Sequence, residues 1–395
     1  MRRALTLLLA CALLTGSAWP ARAQIDAAQR EEADAFFARL FARKDTVGGA
    51  VIVNQGGQRL YSYFHGRYGK GDTPVTEDTV YKVASVTKMI TAIGVMQLVQ
   101  EEKIGLDDPL ADGTGAPILN PAFPDQPITL RQVMSHTSSL LPTANYTGVP
   151  AWSAKYFDDS APGSHYTYAN LNGGLLGSLI ERVSGQSLNG YMAQHVFSPL
   201  GVNAAYASTL LPDGSQLSYS FNADGTVNTS SASYLRADRD YDDTCDPAAH
   251  YRAAVGSLYI SVKGLETLGA MLAAGGEYQG VRVLLPGSVH LMQMDQARFA
   301  GSSVTGESPY GLNTYRYPLG GVTWYGHQGW WSGRLVDLFY EPISRTAVVL
   351  VMNGSSRTVG TVDREVAAQM EQTLAYISPW VEPLLQDLPL IDDGD

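Results

Sequence analysis

Three short stretches carry side chains at spacings that a folded chain could use for chemistry. The first is Val83-Ala-Ser-Val-Thr-Lys-Met-Ile90, in which Ser85 and Lys88 form an S-x-x-K at the mouth of an apolar segment. In a helix, residues three apart share a face, so the amine can reach the hydroxyl. A serine at a helix N-terminus also sits where free N–H groups and the helix dipole favour negative charge. Together they could make an activated nucleophile, provided burial depresses the lysine pKa enough for the amine to take a proton near neutrality. The plain alternative is an N-cap serine followed by a snorkelling lysine. The motif alone does not choose between them.

The second stretch is Tyr168-Ala-Asn170, the one Y-x-N among 22 tyrosines, just before an apolar helix. Its phenol could share a proton with Lys88 while Asn170 holds substrate or the lysine; equally, Asn170 could cap the helix and Tyr168 could pack at a lobe boundary. The third is His327-Gln-Gly329, the one H-x-G. It falls in a strand, where a glycine would let a substrate approach the backbone, but a histidine on a wet strand face reads the same way. Lys103-Ile-Gly105 is a rival K-x-G, misplaced at a helix end. The chain lacks G-x-S-x-G, H-E-x-x-H, Walker and Rossmann glycine loops and a cysteine pair for zinc. The aspartates from Asp238 to Asp246 do not fit a calcium loop.

The elements that would position these stretches follow from periodicity. Ala33, Phe36, Phe37, Leu40 and Phe41 recur at helical spacing between Asp26 and Lys44. Strands over 49–54 and 59–64 flank Gln55-Gly-Gly57 as an antiparallel hairpin. A helix from about Ser85 to Lys103, apolar almost all round, reads as buried. Helical segments near 130–135 and 171–183 follow, with no convincing strand between 107 and 200. Residues 205–250, rich in Tyr, Ser, Asn and Asp, read as a surface excursion. Strands return over 321–331, 334–340 and 346–352, and a helix over 361–377 closes the domain. This order predicts an α/β (α+β) architecture: one antiparallel sheet built from both chain ends and flanked by helices, plus a mainly helical lobe. The α/β lobe takes about 24–80 and 255–377, the helical lobe 81–204, and 378–395 is a tail.

Composition bounds the setting. Arg2 and Arg3 precede an apolar run from Ala4 to Leu14 and an A-x-A-like Ala21-Arg-Ala23, so residues 1–23 read as a signal peptide and the protein as exported, periplasmic or secreted. The apolar run is well short of the roughly 20 residues that span a bilayer, and no stable membrane anchor is expected. A lipoprotein reading at Cys11 places its cysteine before the apolar region ends. Loss of Arg2, Arg3 and Arg22 would take the formal charge from −11 to −14, which disfavours nucleic acid as a partner. Cys245 would then be the sole cysteine, so stability must come from burial in a chain that is 45% apolar.

In order along the chain, S-x-x-K at Ser85, Y-x-N at Tyr168 and H-x-G at His327 resemble the active-site elements of the serine β-lactamase-related hydrolases. Class C β-lactamases, DD-peptidases and esterases are the types it resembles. The connecting text is similar too: Ile128-Thr-Leu-Arg-Gln-Val-Met-Ser-His-Thr-Ser138 resembles a stretch ending in H-T-S-G, and Glu181–Gln186, Pro199–Gly201 and Tyr310–Leu312 match further words. The resemblance implies a β-lactamase/DD-peptidase-like fold with a cleft between lobes and no metal or organic cofactor. It implies Ser85 as nucleophile, Lys88 and Tyr168 as its proton handlers, and Asn170, His327, Gln328 and Gly329 as cleft residues. An oxyanion hole from the backbone N–H groups of Ser85 and Trp330 would follow, and either Lys88 or Tyr168 could be the base.

The departures matter for the substrate. His327 and Gln328 stand where class C β-lactamases have lysine and threonine, which weakens recognition of a carboxylate. Ser139 replaces the glycine of H-T-S-G, read as a local backbone adjustment. Trp324, Trp330 and Trp331 suggest an aromatic rim or else sheet packing. The implied reaction is acyl transfer to water from a small-molecule or peptide substrate, an ester or a D-amino-acid amide. The alternatives are a penicillin-binding DD-carboxypeptidase or weak β-lactamase, and a binding protein on the same fold without turnover.

Overall fold

A computed structural model describes residues 25–42, 45–144, 152–222, 224–228, 241–296, 310–319, 321–331, 333–354 and 371–380. The expected signal peptide and most of the expected tail lie outside the described residues. In chain order the elements are α1 (Ala27–Ala42), β1 (Gly48–Gln55), β2 (Gln58–Gly66), β3 (Thr79–Lys82), α2 (Val86–Gln100), α3 (Leu130–Met134), α4 (Asn170–Ser184) and α5 (Leu188–Met192). There follow β4 (Ala204–Ala205), β5 (Gln216–Leu217), α6 (Tyr251–Gly256), β6 (Tyr259–Ser261), α7 (Val262–Ala273), β7 (Glu277–Tyr278), β8 (Val281–Arg282) and α8 (Pro286–Gln293). The chain closes with β9 (Tyr315–Leu319), β10 (Val322–Trp331), β11 (Arg334–Glu341), β12 (Thr346–Asn353) and helix α9 over 371–380.

The main sheet has the order β2-β1-β12-β11-β10-β9, so both ends of the chain contribute to it, and each neighbouring pair in it is antiparallel. Gly48 pairs with Asn353 and Gln55 with Thr346, which locks the first strand onto the last. Side chains alternate across the pleat. Ala50, Ile52, Val336, Leu338, Val349 and Val351 enter the inner core, whereas Val51, Val53, Leu335, Phe339, Val348 and Leu350 enter the outer one. Both faces are covered, which explains why β1 and β12 are continuously apolar rather than alternating. The outer cover is α1, through Ala33, Phe37, Leu40 and Phe41, together with Leu374 and Ile377 of α9.

The inner face carries α7 and the helical lobe. Glycines set the spacing: a Cβ on Gly269 of α7 would lie 2.8 Å from Leu338 Cδ1. Helix α2 is buried almost throughout, as its all-round apolar sequence predicts. Two expectations need correction. Part of the 205–250 stretch is built into the molecule, because β5 pairs in parallel with β3, Phe221 is buried, and Ser218 accepts from Asn353 Nδ2 at 2.8 Å. The expected tail also begins too early, since α9 runs to residue 380 with Ser378 buried and Trp380 against the outer core. Among the described residues no helix is long and apolar enough to cross a membrane.

Candidate active site

Ser85 breaks the burial pattern of its surroundings. Every residue from Thr79 to Leu98 is buried except this one. Strand β3 ends at Lys82, and Val83 is pinned by its N–H donating to Leu258 O at 2.9 Å. Ala84 then takes φ +46°, a left-handed conformation that costs about 1–2 kcal/mol for a residue with a Cβ. That bend turns the chain from strand to helix and leaves Ser85 as the N-cap of α2. The Ser85 side chain makes no capping hydrogen bond; its Oγ instead lies 3.0 Å from Lys88 Nζ.

Lys88 is fully buried, yet among the described residues no carboxylate meets it. Its Nζ donates to Ser85 Oγ and, at 2.8 Å, to the carbonyl of Val255 in α6. It also stands 5.3 Å from the centre of the Tyr168 ring. Burial of an amine without a countercharge pushes the Lys88 pKa from its ordinary 10.5 down to about 7. Room for the stem comes from Gly173 in α4, where a Cβ would fall 2.9 Å from Lys88 Cε and Cγ. Sequence reasoning paired Lys88 with Ser85 and Tyr168 but missed Val255 and Gly173. The Gly173-Gly174 pair was the available signal for close packing; a backbone carbonyl on a six-residue helix leaves none.

Tyr168 precedes α4, and Ala169, in extended backbone, is the N-cap of that helix. Asn170 is therefore its first helical residue, half-buried, and does not cap it. The Tyr168 ring stacks on His136, with centroids 4.3 Å apart and planes 22° from parallel. His136 belongs to the H-T-S stretch quoted above. Nearby Ser139 takes φ +61°, the conformation in which the resembling glycine is at ease, and Asn120 Nδ2 donates to its hydroxyl at 3.0 Å.

The third stretch enters from the main sheet. Strand β9 pairs with β10 only from Val322 to Gly326, so His327–Trp331 runs on beyond it. A Cβ on Gly329 would lie 2.1 Å from Val83 O and 3.2 Å from Ser85 N. Glycine is thus what lets β10 touch the backbone at the start of α2, and Trp330 is the next residue. His327 is buried, and its Nδ1 lies 2.6 Å from Gln328 O and its Nε2 3.1 Å from Tyr310 Oη. A carbonyl can only accept, so Nδ1 carries the proton and Nε2 accepts from the phenol. Burial, then Lys88, lowers the His327 pKa to about 3. The ring is neutral with both nitrogens engaged by the protein.

Two site expectations change here. The pleat sends Gln328 to the face opposite His327, with Trp324 and Trp330, and those tryptophans pack in or against the outer core. The sheet-packing reading therefore holds for Trp324 and Trp330; of the three, Trp331 shares the face of His327. Tyrosines line the cluster instead. Tyr310 lies 4.8 Å from Tyr315 and 5.6 Å from Tyr166, and Tyr315 lies 4.9 Å from His327. Among the described residues no group of three or more His, Cys, Asp or Glu could hold a metal ion.

The structure thus brings the S-x-x-K, Y-x-N and H-x-G stretches to one place. A model of the Beta-lactamase family matches residues 33–371, a span that contains all three. The chain is 29% identical over 183 residues to the D-alanyl-D-alanine-carboxypeptidase/endopeptidase AmpH of Escherichia coli, covering 43% of this chain and 47% of that one. It is 29% identical over 199 residues to the esterase EstB of Burkholderia gladioli, covering 43% and 49%. The match spans about half the length of these relatives. The octameric penicillin-binding protein homologue from Pyrococcus abyssi superposes with a TM-score of 0.65 at 21% identity, over 86% of this chain and 77% of that one, a likeness of fold. With most of its length matched by the family model and all three stretches inside the match, the chain belongs to the Beta-lactamase family, a family of serine hydrolases.

Proposed function

We propose that the protein transfers the acyl group of a carboxylic ester, or of a D-amino-acid amide, to water through an acyl-enzyme on Ser85. One observation carries the reading: the single accessible residue of a buried segment has its hydroxyl 3.0 Å from an amine whose pKa burial lowers to about 7. Neutral Lys88 takes the proton as Ser85 Oγ bonds to the carbonyl carbon. The oxyanion that forms is held by the backbone N–H groups of Ser85 and Trp330. The proton reaches the leaving oxygen or nitrogen through Tyr168, whose ring neighbours Lys88. Water then attacks the acyl-enzyme with the same groups acting in reverse, and the acid is released.

The substrate class follows from His327. In this family the third motif can place a cation against a substrate carboxylate, whereas here a neutral imidazole spends both nitrogens on Gln328 O and Tyr310 Oη. A tyrosine-lined site without a cation in that motif favours acyl groups and leaving groups that are neutral. The names of two relatives, an esterase and a carboxypeptidase/endopeptidase, fall on either side of this choice. The test is turnover of a short p-nitrophenyl ester, a chromogenic cephalosporin and a D-Ala-D-Ala peptide, with intact mass followed in parallel. Ester turnover lost in Ser85→Ala is the expected result. Peptide cleavage with a long-lived penicillin adduct would replace it by the carboxypeptidase reading, and no turnover with no added mass would leave a binding protein.

A further inference from the structure

His136 is completely buried, takes φ +56°, and has no part in the chemistry described so far. Its own backbone carbonyl accepts from Thr167 N–H at 2.8 Å. Its ring Nδ1 accepts from Ala169 N–H at 3.1 Å. The residue between those two anchors is Tyr168, and the imidazole lies flat against that ring.

The tautomer is fixed by its neighbours. A backbone N–H can only donate, so Ala169 makes His136 Nδ1 an acceptor. Asn172 Nδ2, 2.9 Å from the same nitrogen, must then present its amine there. Its Oδ1 is left to accept from the Ser138 hydroxyl at 2.8 Å. The H-T-S stretch and the Y-A-N-L-N stretch are therefore one lock, with both parts fully buried at His136, Ser138 and Asn172. Burial, then Lys88 and His327, hold the imidazole well below the usual histidine range, so it stays neutral and Nδ1 stays open to its donors.

We propose that His136 is a positioning residue for acyl transfer: it grips the backbone on both sides of Tyr168 and backs its ring, so setting where the phenol stands relative to Lys88 and Ser85. The proposal rests on the reading of Tyr168 as the proton carrier. Two substitutions separate the grip from mere bulk. Asparagine offers an oxygen near the place of Nδ1 and tolerates the left-handed backbone; leucine fills space and accepts nothing. The rate of Ser85 acylation by a p-nitrophenyl ester is read by stopped flow in the full chain, with circular dichroism to confirm folding. His136→Leu lowers that rate by about 10–100-fold, with the loss in kcat and not in KM. His136→Asn recovers to within about 5-fold of the parent, because the two backbone donors and Asn172 keep an acceptor. In a Tyr168→Phe background, His136→Leu removes less than about 2-fold further, since residues acting through one another are not additive.

Equal losses in the asparagine and leucine variants would overturn the proposal, as would a full His136→Leu loss in the Tyr168→Phe background. If His136→Leu does not fold, His136→Asn is compared in both Tyr168 backgrounds by the same criterion. Tyr168→Phe at parental rate would overturn both the proposal and the role of Tyr168. Activity surviving in Ser85→Ala marks a separate failure, that of the acyl-enzyme itself.

Discussion

Proton affinity at one amine governs the acyl transfer proposed for Ser85. Among the described residues Lys88 gains two hydrogen-bond acceptors on burial but no countercharge, which is why its pKa falls to about 7. In the proposed mechanism acylation needs the neutral amine, so the logarithm of kcat/KM for an uncharged ester should rise with unit slope up to about pH 7 and level off above it. Stability carries the opposite face of the same shift. The folded pKa lies below the unfolded one, so between about 7 and 10.5 the unfolded chain binds the extra proton and stability rises with pH. Below pH 7 the penalty is complete. Lys88→Met should therefore stabilise the protein at pH 6 by on the order of a few kcal/mol, seen as a higher melting temperature, while losing activity, and that advantage should shrink towards pH 10. A variant less stable than its parent at pH 6 would mean that the amine's hydrogen bonds outweigh its desolvation. The S-x-x-K spacing was legible because it is local. The depth of burial was not, since the Val255 carbonyl comes from 167 residues away and Gly173 supplies the space.

The approach of strand β10 to helix α2 sets the width of the proposed reacting centre. Gly329 puts its backbone against Val83 O and Ser85 N, and both of those atoms belong to the main chain. A methyl group there cannot be absorbed by a side-chain rotation; strand and helix must separate. Gly329→Ala should lower kcat/KM by about 100–1,000-fold, the range found when an oxyanion donor is lost, with a smaller effect on KM. Gly287→Ala in α8 is the control, because its added Cβ meets nothing within 4 Å, and it should leave turnover unchanged. Parental kinetics in Gly329→Ala would remove β10 from the proposed oxyanion hole. Strands and long helices were legible from their periodicity, down to the hairpins at both chain ends. Helix α6 was not. Six residues after a polar excursion show no period, and α6 is held by tertiary packing against α4, where a Cβ on Gly177 would lie 2.8 Å from Ala254 Cβ.

On the scale of the whole molecule, the main sheet separates two cores with different tasks. The inner core holds α2, α4 and the site, while the outer one holds α1, α9 and the far face of the same strands. The strands over 49–54 and 346–352 were legible near the two chain ends, and with them a shared sheet flanked by helices. What the sequence did not reveal is which side chains enter which core, because β1 and β12 are buried along their whole length and show no alternation that marks a face. The two-core arrangement predicts that stability can be lost without losing chemistry. Phe37 is wholly buried in the outer core, stacked on Tyr61 at 5.6 Å and edge-on to Tyr376. Phe37→Ala should destabilise the protein by about 3–5 kcal/mol, seen as an earlier denaturation midpoint in urea. At 25 °C, kcat and the pKa of its acid limb should match the parent, because Lys88 meets Ser85, Val255 and Tyr168, whereas Phe37 belongs to the core on the other face of the sheet from α2 and α4. A matching fall in the acylation rate of folded Phe37→Ala would show instead that the outer layer sets the position of β10, and with it the geometry at Ser85.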